Sequence, residues 1–147
     1  MSKKRLSQTK KNIVFLGHMG SGKSTIGRGL SKKLGLDFYD TDKEIEKEMG
    51  QKIAKIFDES GESIFRTIER KITLKLLDKK NSIIALGGGG FEDLKIRKLI
   101  LNKCNSIWLK CDLNILEKRC RVSKKRPLLS NKNIKAESER LNQIRKK

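Results

Sequence analysis

The sequence predicts an α/β fold in which a central parallel sheet is covered by helices on both faces. Short apolar, β-rich runs alternate with stretches of helical spacing along most of the chain. The first run, NIVFL at residues 12–16, passes directly into a glycine-rich loop and then a helix. There is no internal repeat and no low-complexity linker, and 147 residues make room for one domain. That domain is expected over residues 12–147, behind a basic, disordered leader at residues 1–11.

Each element follows from its pattern. Asn12 to Leu16 has the apolar continuity of a strand buried on both faces. From Lys23 to Leu34, Ile26, Leu30 and Leu34 recur at four-residue spacing, and Gly35 is placed to end the helix. Leu36 to Tyr39 reads as a second strand, running into Asp40-Thr41-Asp42. Lys43 to Met49 is expected to be a helix closed by Gly50, with Thr41 or Asp42 as its N-cap. Ile53, Ile56 and Phe57 continue helical spacing up to Ser60-Gly61, and a further helix is expected from Glu62 to Leu77 with Phe65, Ile68, Ile72 and Leu76 inward. Ser82 to Leu86 is a third strand, followed by Gly87-Gly88-Gly89-Gly90. Leu94 to Leu101 reads as helix, Ser106 to Leu109 as a fourth strand, and Leu113 to Arg121 as another helix. Val122 to Asn133, which holds the single proline Pro127, is expected to be a mobile basic loop, and Ala136 to Lys147 a final helix.

Composition narrows the function. Lys and Arg number 36 against 17 Asp and Glu, a formal net charge of +19 that favours polyanionic ligands. The basic residues are spread along the chain and aromatics are only 5%, so stacking platforms for single-stranded nucleic acid are few. A solvated lysine-rich surface is the reading taken, and nucleic acid is not expected as a partner. Cys104, Cys111 and Cys120 lack C-x-x-C spacing and His18 is the sole histidine, which argues against a zinc site and for reduced thiols in a cytoplasmic protein. The apolar run Ile13 to Leu16 is too short for a signal-peptide core or a membrane span.

The loop Gly17-His18-Met19-Gly20-Ser21-Gly22-Lys23-Ser24 satisfies G-x-x-x-x-G-K-[ST] between a strand and a helix, the context that gives this motif its meaning. Glycines allow backbone N–H groups to converge on a phosphate, and the helix N-terminus adds partial positive charge. Lys23 can reach β and γ oxygens of a nucleoside triphosphate, and the Ser24 hydroxyl can ligate Mg²⁺. Asp40-Thr41-Asp42 falls at the carboxyl edge of the sheet beside this loop. One carboxylate there can hold Mg²⁺ through water and the other an acceptor hydroxyl, or the segment can serve as a helix cap.

With these residues the chain resembles the shikimate kinase family, from Asn12 to about Leu129. The resemblance rests on GHMGSGKST (17–25), DTD (40–42), IFDESGESIFRTIE (56–69), LGGGG (86–90) and, as a lid signature, Arg126-Pro127-Leu128-Leu129. It implies a three-layer α/β/α P-loop kinase fold that uses ATP and Mg²⁺ to phosphorylate the 3-hydroxyl of shikimate. Gly20, Ser21, Gly22, Lys23, Ser24 and Thr25 would hold the nucleotide, with Arg119 along the adenine and Arg126, on a lid at about 120–133, closing over the phosphates. Ser24 and Asp40 would serve the metal. Asp42 would bind the acceptor hydroxyls, as base or as an orienting group. Arg66 would grip the carboxylate, Phe57 and Phe65 would wall the pocket, and Gly87, Gly88 and Gly89 would let the acceptor ring approach closely. Lys23, Asp42 and Arg126 would carry catalysis. Read from the residues alone, Arg66 can also be an exposed helix residue, Phe57 and Phe65 ordinary core, the glycine run a strand-ending turn and Arg126 a surface charge.

Beyond the lid the family continues with a helix, an arginine followed by a tyrosine, a fifth strand and a closing helix, whereas this sequence stops at Arg145-Lys146-Lys147. Arg145 fits the second carboxylate-binding position without an insertion. Read through Leu141 and Ile144, the awaited arginine falls just past Lys147. The expectation is a fragment or truncated product with four strands, the fifth missing and Ser106 to Leu109 left as a sheet edge. A monomer with a small-molecule substrate and no membrane partner is expected. The alternatives are a gluconate-type P-loop kinase and a basic nucleotide- or RNA-binding protein with impaired catalysis.

Overall fold

A computed structural model describes residues 11–112, 114–116 and 118. Residues 1–10 of the expected leader at 1–11, Arg119, Cys120, Arg126, Arg145, the lid at 120–133 and the final helix therefore lie outside the described residues.

The described chain runs β1 (Ile13–Gly17), α1 (Lys23–Leu34), β2 (Asp37–Asp40), α2 (Thr41–Met49), α3 (Ile53–Leu77), β3 (Ser82–Ala85), a 3-10 turn (Gly90–Glu92), α4 (Leu94–Lys103) and β4 (Asn105–Leu109). The strands form a parallel sheet in the order β2-β3-β1-β4. β1, which leads into the glycine-rich loop, therefore has a neighbour on each side. Successive β1 side chains point to opposite faces, as the strand period requires. Val14 and Leu16, with Ile84 and Leu86, pack against Ile45, Ile56, Phe65, Ile72, Leu76, Ile96 and Ile100 from α2, α3 and α4. Ile13, Phe15 and Ile83 pack on the other face against Leu30 and Leu34 of α1. The two clusters are the two halves of an α/β/α sandwich.

Where the elements differ from expectation, local chemistry explains it. α2 starts at Thr41 rather than Lys43 because the cap is Asp40, whose Oδ1 accepts the N–H groups of Asp42 at 3.0 Å and Lys43 at 3.3 Å. The expectation that Thr41 or Asp42 caps this helix is corrected accordingly. α3 is one helical element interrupted at Gly61, whose φ of 81° and ψ of 172° no side-chain-bearing residue adopts readily. The break expected at Ser60-Gly61 is therefore present, as a kink at Gly61 where two helices meet. The start of α3 is served from another helix: Glu46 of α2 accepts the Ile53 N–H at 3.2 Å and the Lys52 ammonium at 3.0 Å. The turn Gly90–Glu92 was not anticipated; it leads into Asp93, which caps α4 through the N–H groups of Lys95 and Ile96. The expected helix from Leu113 is described only at Asn114–Leu116 and Lys118, which are helical.

A buried asparagine fixes the entrance to β1. The Asn12 amide donates to the carbonyls of Lys79 at 2.7 Å and Leu77 at 3.2 Å and accepts the Ser82 N–H at 3.1 Å. It thereby ties the end of α3 and the start of β3 to the strand that delivers the loop. β2 and β4 are the edge strands among the described residues, and Ile107 on β4 is exposed.

Candidate active site

The glycine-rich loop is built for an anion. Gly22 occupies the N-cap of α1 with φ 97° and offers no side-chain cap. The first turn carries no acidic residue, so no carboxylate of its own offsets the positive dipole end of the helix. At the loop's start, a Cβ on Gly17 would lie 2.6 Å from Ser21 Oγ and 2.8 Å from the Leu109 carbonyl oxygen, which leaves room for hydrogen only. Lys23 Nζ donates to the carbonyls of Gly17 at 2.7 Å and His18 at 2.8 Å, so its charge is held over the loop.

Ser24 joins this donor half to the sheet edge: its hydroxyl donates to Asp40 Oδ2. The Ser24 hydroxyl and Asp40 carboxylate are oxygen donors of the kind a hard cation such as Mg²⁺ takes. No group of three or more His, Cys, Asp or Glu among the described residues could hold a metal by itself.

On the acceptor side, Arg66 projects from α3 with its side chain 29% exposed. Its Nη1 donates to Glu69 Oε2 at 2.6 Å, and Nη2 lies 3.5 Å from Glu62 Oε1. A Cβ on Gly89 would stand 2.6 Å from both Nη atoms, so the guanidinium lies directly against the glycine run. Burial works against the Arg66 charge, but Glu69, through charge and hydrogen bond, holds its pKa above the ordinary value. Glu69 is only 5% exposed at its side chain. Burial raises its pKa, with Arg66 opposing and Glu92 and Asp93 adding to the rise. Phe57 and Phe65 are in contact with ring centroids 4.5 Å apart and planes tilted by 38°. Phe65 belongs to the core and also faces the cleft, while Phe57 is half-buried beside it. Asp42 Oδ1 lies 2.7 Å from where a Gly87 Cβ would be.

One cleft of about 760 Å³ brings these groups together. Gly20, Ser21, Gly22, Lys23, Ser24 and Thr25 line one side, and Asp40, Asp42, Phe57, Phe65, Arg66, Gly87, Gly88 and Gly89 the other. Arg119, Arg126 and Arg145 lie outside the described residues. Sequence reasoning missed Met19, Glu46, Lys52, Ile53 and Glu69, which also line the cleft. Glu69 was signalled by its i+3 spacing from Arg66, the distance at which helix side chains meet. Met19 gave no signal; it bridges the halves because a Cβ on Gly88 would be 3.0 Å from its Cγ.

A phosphate loop on a parallel sheet, facing a small acceptor cleft across one wall of glycines, defines a P-loop small-molecule kinase fold. The family model for shikimate kinase matches residues 19–147. The chain belongs to the shikimate kinase family. It is 41% identical over 135 residues to the shikimate kinase of Zymomonas mobilis subsp. mobilis, covering 92% of this chain and 77% of that one. It is 44% identical over 135 residues to the shikimate kinase of Bartonella quintana, covering 92% of this chain and 64% of that one. Among solved structures, shikimate kinase from Acinetobacter baumannii in complex with shikimate matches with a TM-score of 0.89 at 34% identity, over 99% of this chain and 80% of that one. No helix among the described residues is long and apolar enough to cross a membrane.

Proposed function

We propose that this chain transfers the γ-phosphoryl group of ATP to the 3-hydroxyl of shikimate, a step toward chorismate and the aromatic amino acids. The observation that carries the reading is the half-buried guanidinium of Arg66 in the same cleft as the phosphate loop, pressed on Gly89 and oriented by Glu69. A planar fork held in this way suits a carboxylate, and the glycine wall admits a ring at close range.

Position in the cleft and the family resemblance support the following roles. The loop amides and Lys23 hold the β and γ phosphates and share the charge that spreads over the transferring group. Asp42 accepts or orients the acceptor hydroxyl: the bond from that oxygen to Pγ forms, the bond from Pγ to the bridging oxygen of ADP breaks, and the hydroxyl proton leaves through Asp42 or to water. Ser24 and Asp40 would hold Mg²⁺, which when bound supplies positive charge to the phosphate oxygens. Phe57 and Phe65 shape the pocket. On the family resemblance, Arg126 and Arg119 serve the nucleotide and Arg145 the acceptor carboxylate. The same reading places the protein in the cytoplasm as a monomer acting on a free small acid.

ADP release followed by a coupled assay tests the reading. Turnover that rises with shikimate and not with gluconate is the expected result. Equal rates with and without shikimate, in folded protein, would overturn it.

A further inference from the structure

The exit of β3 carries an amide that the sheet does not serve. The N–H groups of successive strand residues point to opposite neighbours. The Leu86 N–H donates toward β1, to the Phe15 carbonyl at 3.1 Å. The Gly87 N–H therefore faces the β2 side, but the β2–β3 register ends at the pair Asp40 and Ala85, and the chain has already turned into α2. The side-chain hydroxyl of Thr41, first residue of α2, accepts this N–H at 2.7 Å and stands in for the missing ladder carbonyl. Thr41 is fully buried, so water does not compete.

The residues flanking Thr41 give this bond its consequence. Asp40 ties the start of α2 to Ser24 of the phosphate loop. Asp42 follows directly, its Oδ1 2.7 Å from the position a Gly87 Cβ would take. Asp42 thus comes directly after two successive ties, Asp40 to the donor loop and Thr41 to the glycine run.

We propose that the Thr41 hydroxyl is a positioning group, which locks the first turn of α2 to Gly87 and so sets where the Asp42 carboxylate stands relative to the acceptor wall. It touches no reacting atom. The inference rests on the function proposed above, in which Asp42 and Gly87–Gly89 face the phosphoryl acceptor.

Thr41→Val keeps shape and removes the acceptor, whereas Thr41→Ser keeps the acceptor. Displacing a reacting group by a fraction of an ångström to an ångström costs up to about 100-fold, so Thr41→Val should lower kcat/KM for shikimate by about 10- to 100-fold while KM for ATP stays within about 2-fold. Thr41→Ser should stay within about 3-fold of the parent, because the hydrogen bond survives. Amide exchange at Gly87, read by NMR without any turnover, should be slow in the parent and in Thr41→Ser and fast in Thr41→Val. Parental kcat/KM in folded Thr41→Val, equal impairment of the Ser and Val variants, or fast Gly87 exchange in the parent each overturns the proposal. A parent protein with no shikimate-dependent turnover but slow Gly87 exchange would instead defeat the function proposed above and leave the tie standing.

Discussion

Replacing Arg66 by Met separates what this residue does for the fold from what it does for the acceptor. Met fills the space of the aliphatic stem but leaves the Glu69 carboxylate, 5% exposed, without its 2.6 Å partner. Breaking a buried pair from one side costs about 3–5 kcal/mol. Arg66 is 29% exposed, so water can partly replace it, and about 2–3 kcal/mol is expected near pH 8. The cost depends on pH with a definite sign. Burial already raises the Glu69 pKa in the fold above its ordinary 4.5, against the opposing pull of Arg66. A raised carboxyl is least costly when protonated, so stability falls as pH climbs from the unfolded value through the folded one. Without Arg66 the rise grows, and the penalty of the variant should shrink on acidification by up to about 1.4 kcal/mol per pH unit. Urea unfolding of the parent, Arg66→Met and the double variant Arg66→Met/Glu69→Gln at pH 5 and pH 8 measures it. The single variant should be hurt more at pH 8, and the double variant should recover most of the loss. Neither should recover the acceptor: losing a charge-assisted contact of about 1.5–3 kcal/mol lowers kcat/KM for shikimate by about 10- to 150-fold. Equal destabilisation at both pH values refutes the electrostatic argument, and restored turnover in the double variant refutes the role of the guanidinium.

Other sites give independent tests. Asp42→Asn should reduce kcat by about 100- to 10,000-fold with KM for ATP within about 2-fold, read by steady-state kinetics. Asp93→Ala removes the cap of α4 and the partner of Arg70, and should cost about 1–2 kcal/mol at neutral pH in urea unfolding. Burial opposes the Asp93 charge, but the N–H groups of Ile96 and Lys95 and the Arg70 side chain hold its pKa below the ordinary 3.8. Its contribution is therefore present above pH 3.8 and lost as pH falls through the lower folded value. Asn12→Ala strands the buried Ser82 N–H and two carbonyls, and should cost about 2–4 kcal/mol in the same measurement.

The sheet and its order of elements were legible because the signals are local. A short apolar strand running into Gly17–Ser24, and helices of four-residue spacing, each report on their own segment, and α1 falls at its expected bounds. The starts of α2 and α3 were less legible because distant groups decide them. Asp40 serves as cap while also receiving Ser24 from another element, and Glu46 caps α3 from α2. The cleft follows the same division. The phosphate-loop residues Gly20–Thr25, identified by type and spacing, do line it, and so do Gly87–Gly89, for which the family resemblance and not the spacing implied a site role. Glu69 against Arg66 was open to reading from helical spacing; what was not legible is the pairs that join different elements, Thr41 against Gly87 and Met19 against Gly88. Such contacts exist only once the sheet has brought the ends of β1, β2 and β3 together.

The chain spans 77% and 64% of the length of the two relatives named above, so its own turnover is the decisive quantity. The central claim is that the phosphate loop and the Arg66 wall act on one substrate pair. The most direct measurement is ³¹P NMR of the product formed by this chain from ATP, Mg²⁺ and shikimate. A phosphomonoester resonance coupled to the proton at carbon 3 of the ring, growing in step with ADP, is the expected result. Inorganic phosphate alone, or no ADP at all, from folded protein would contradict it.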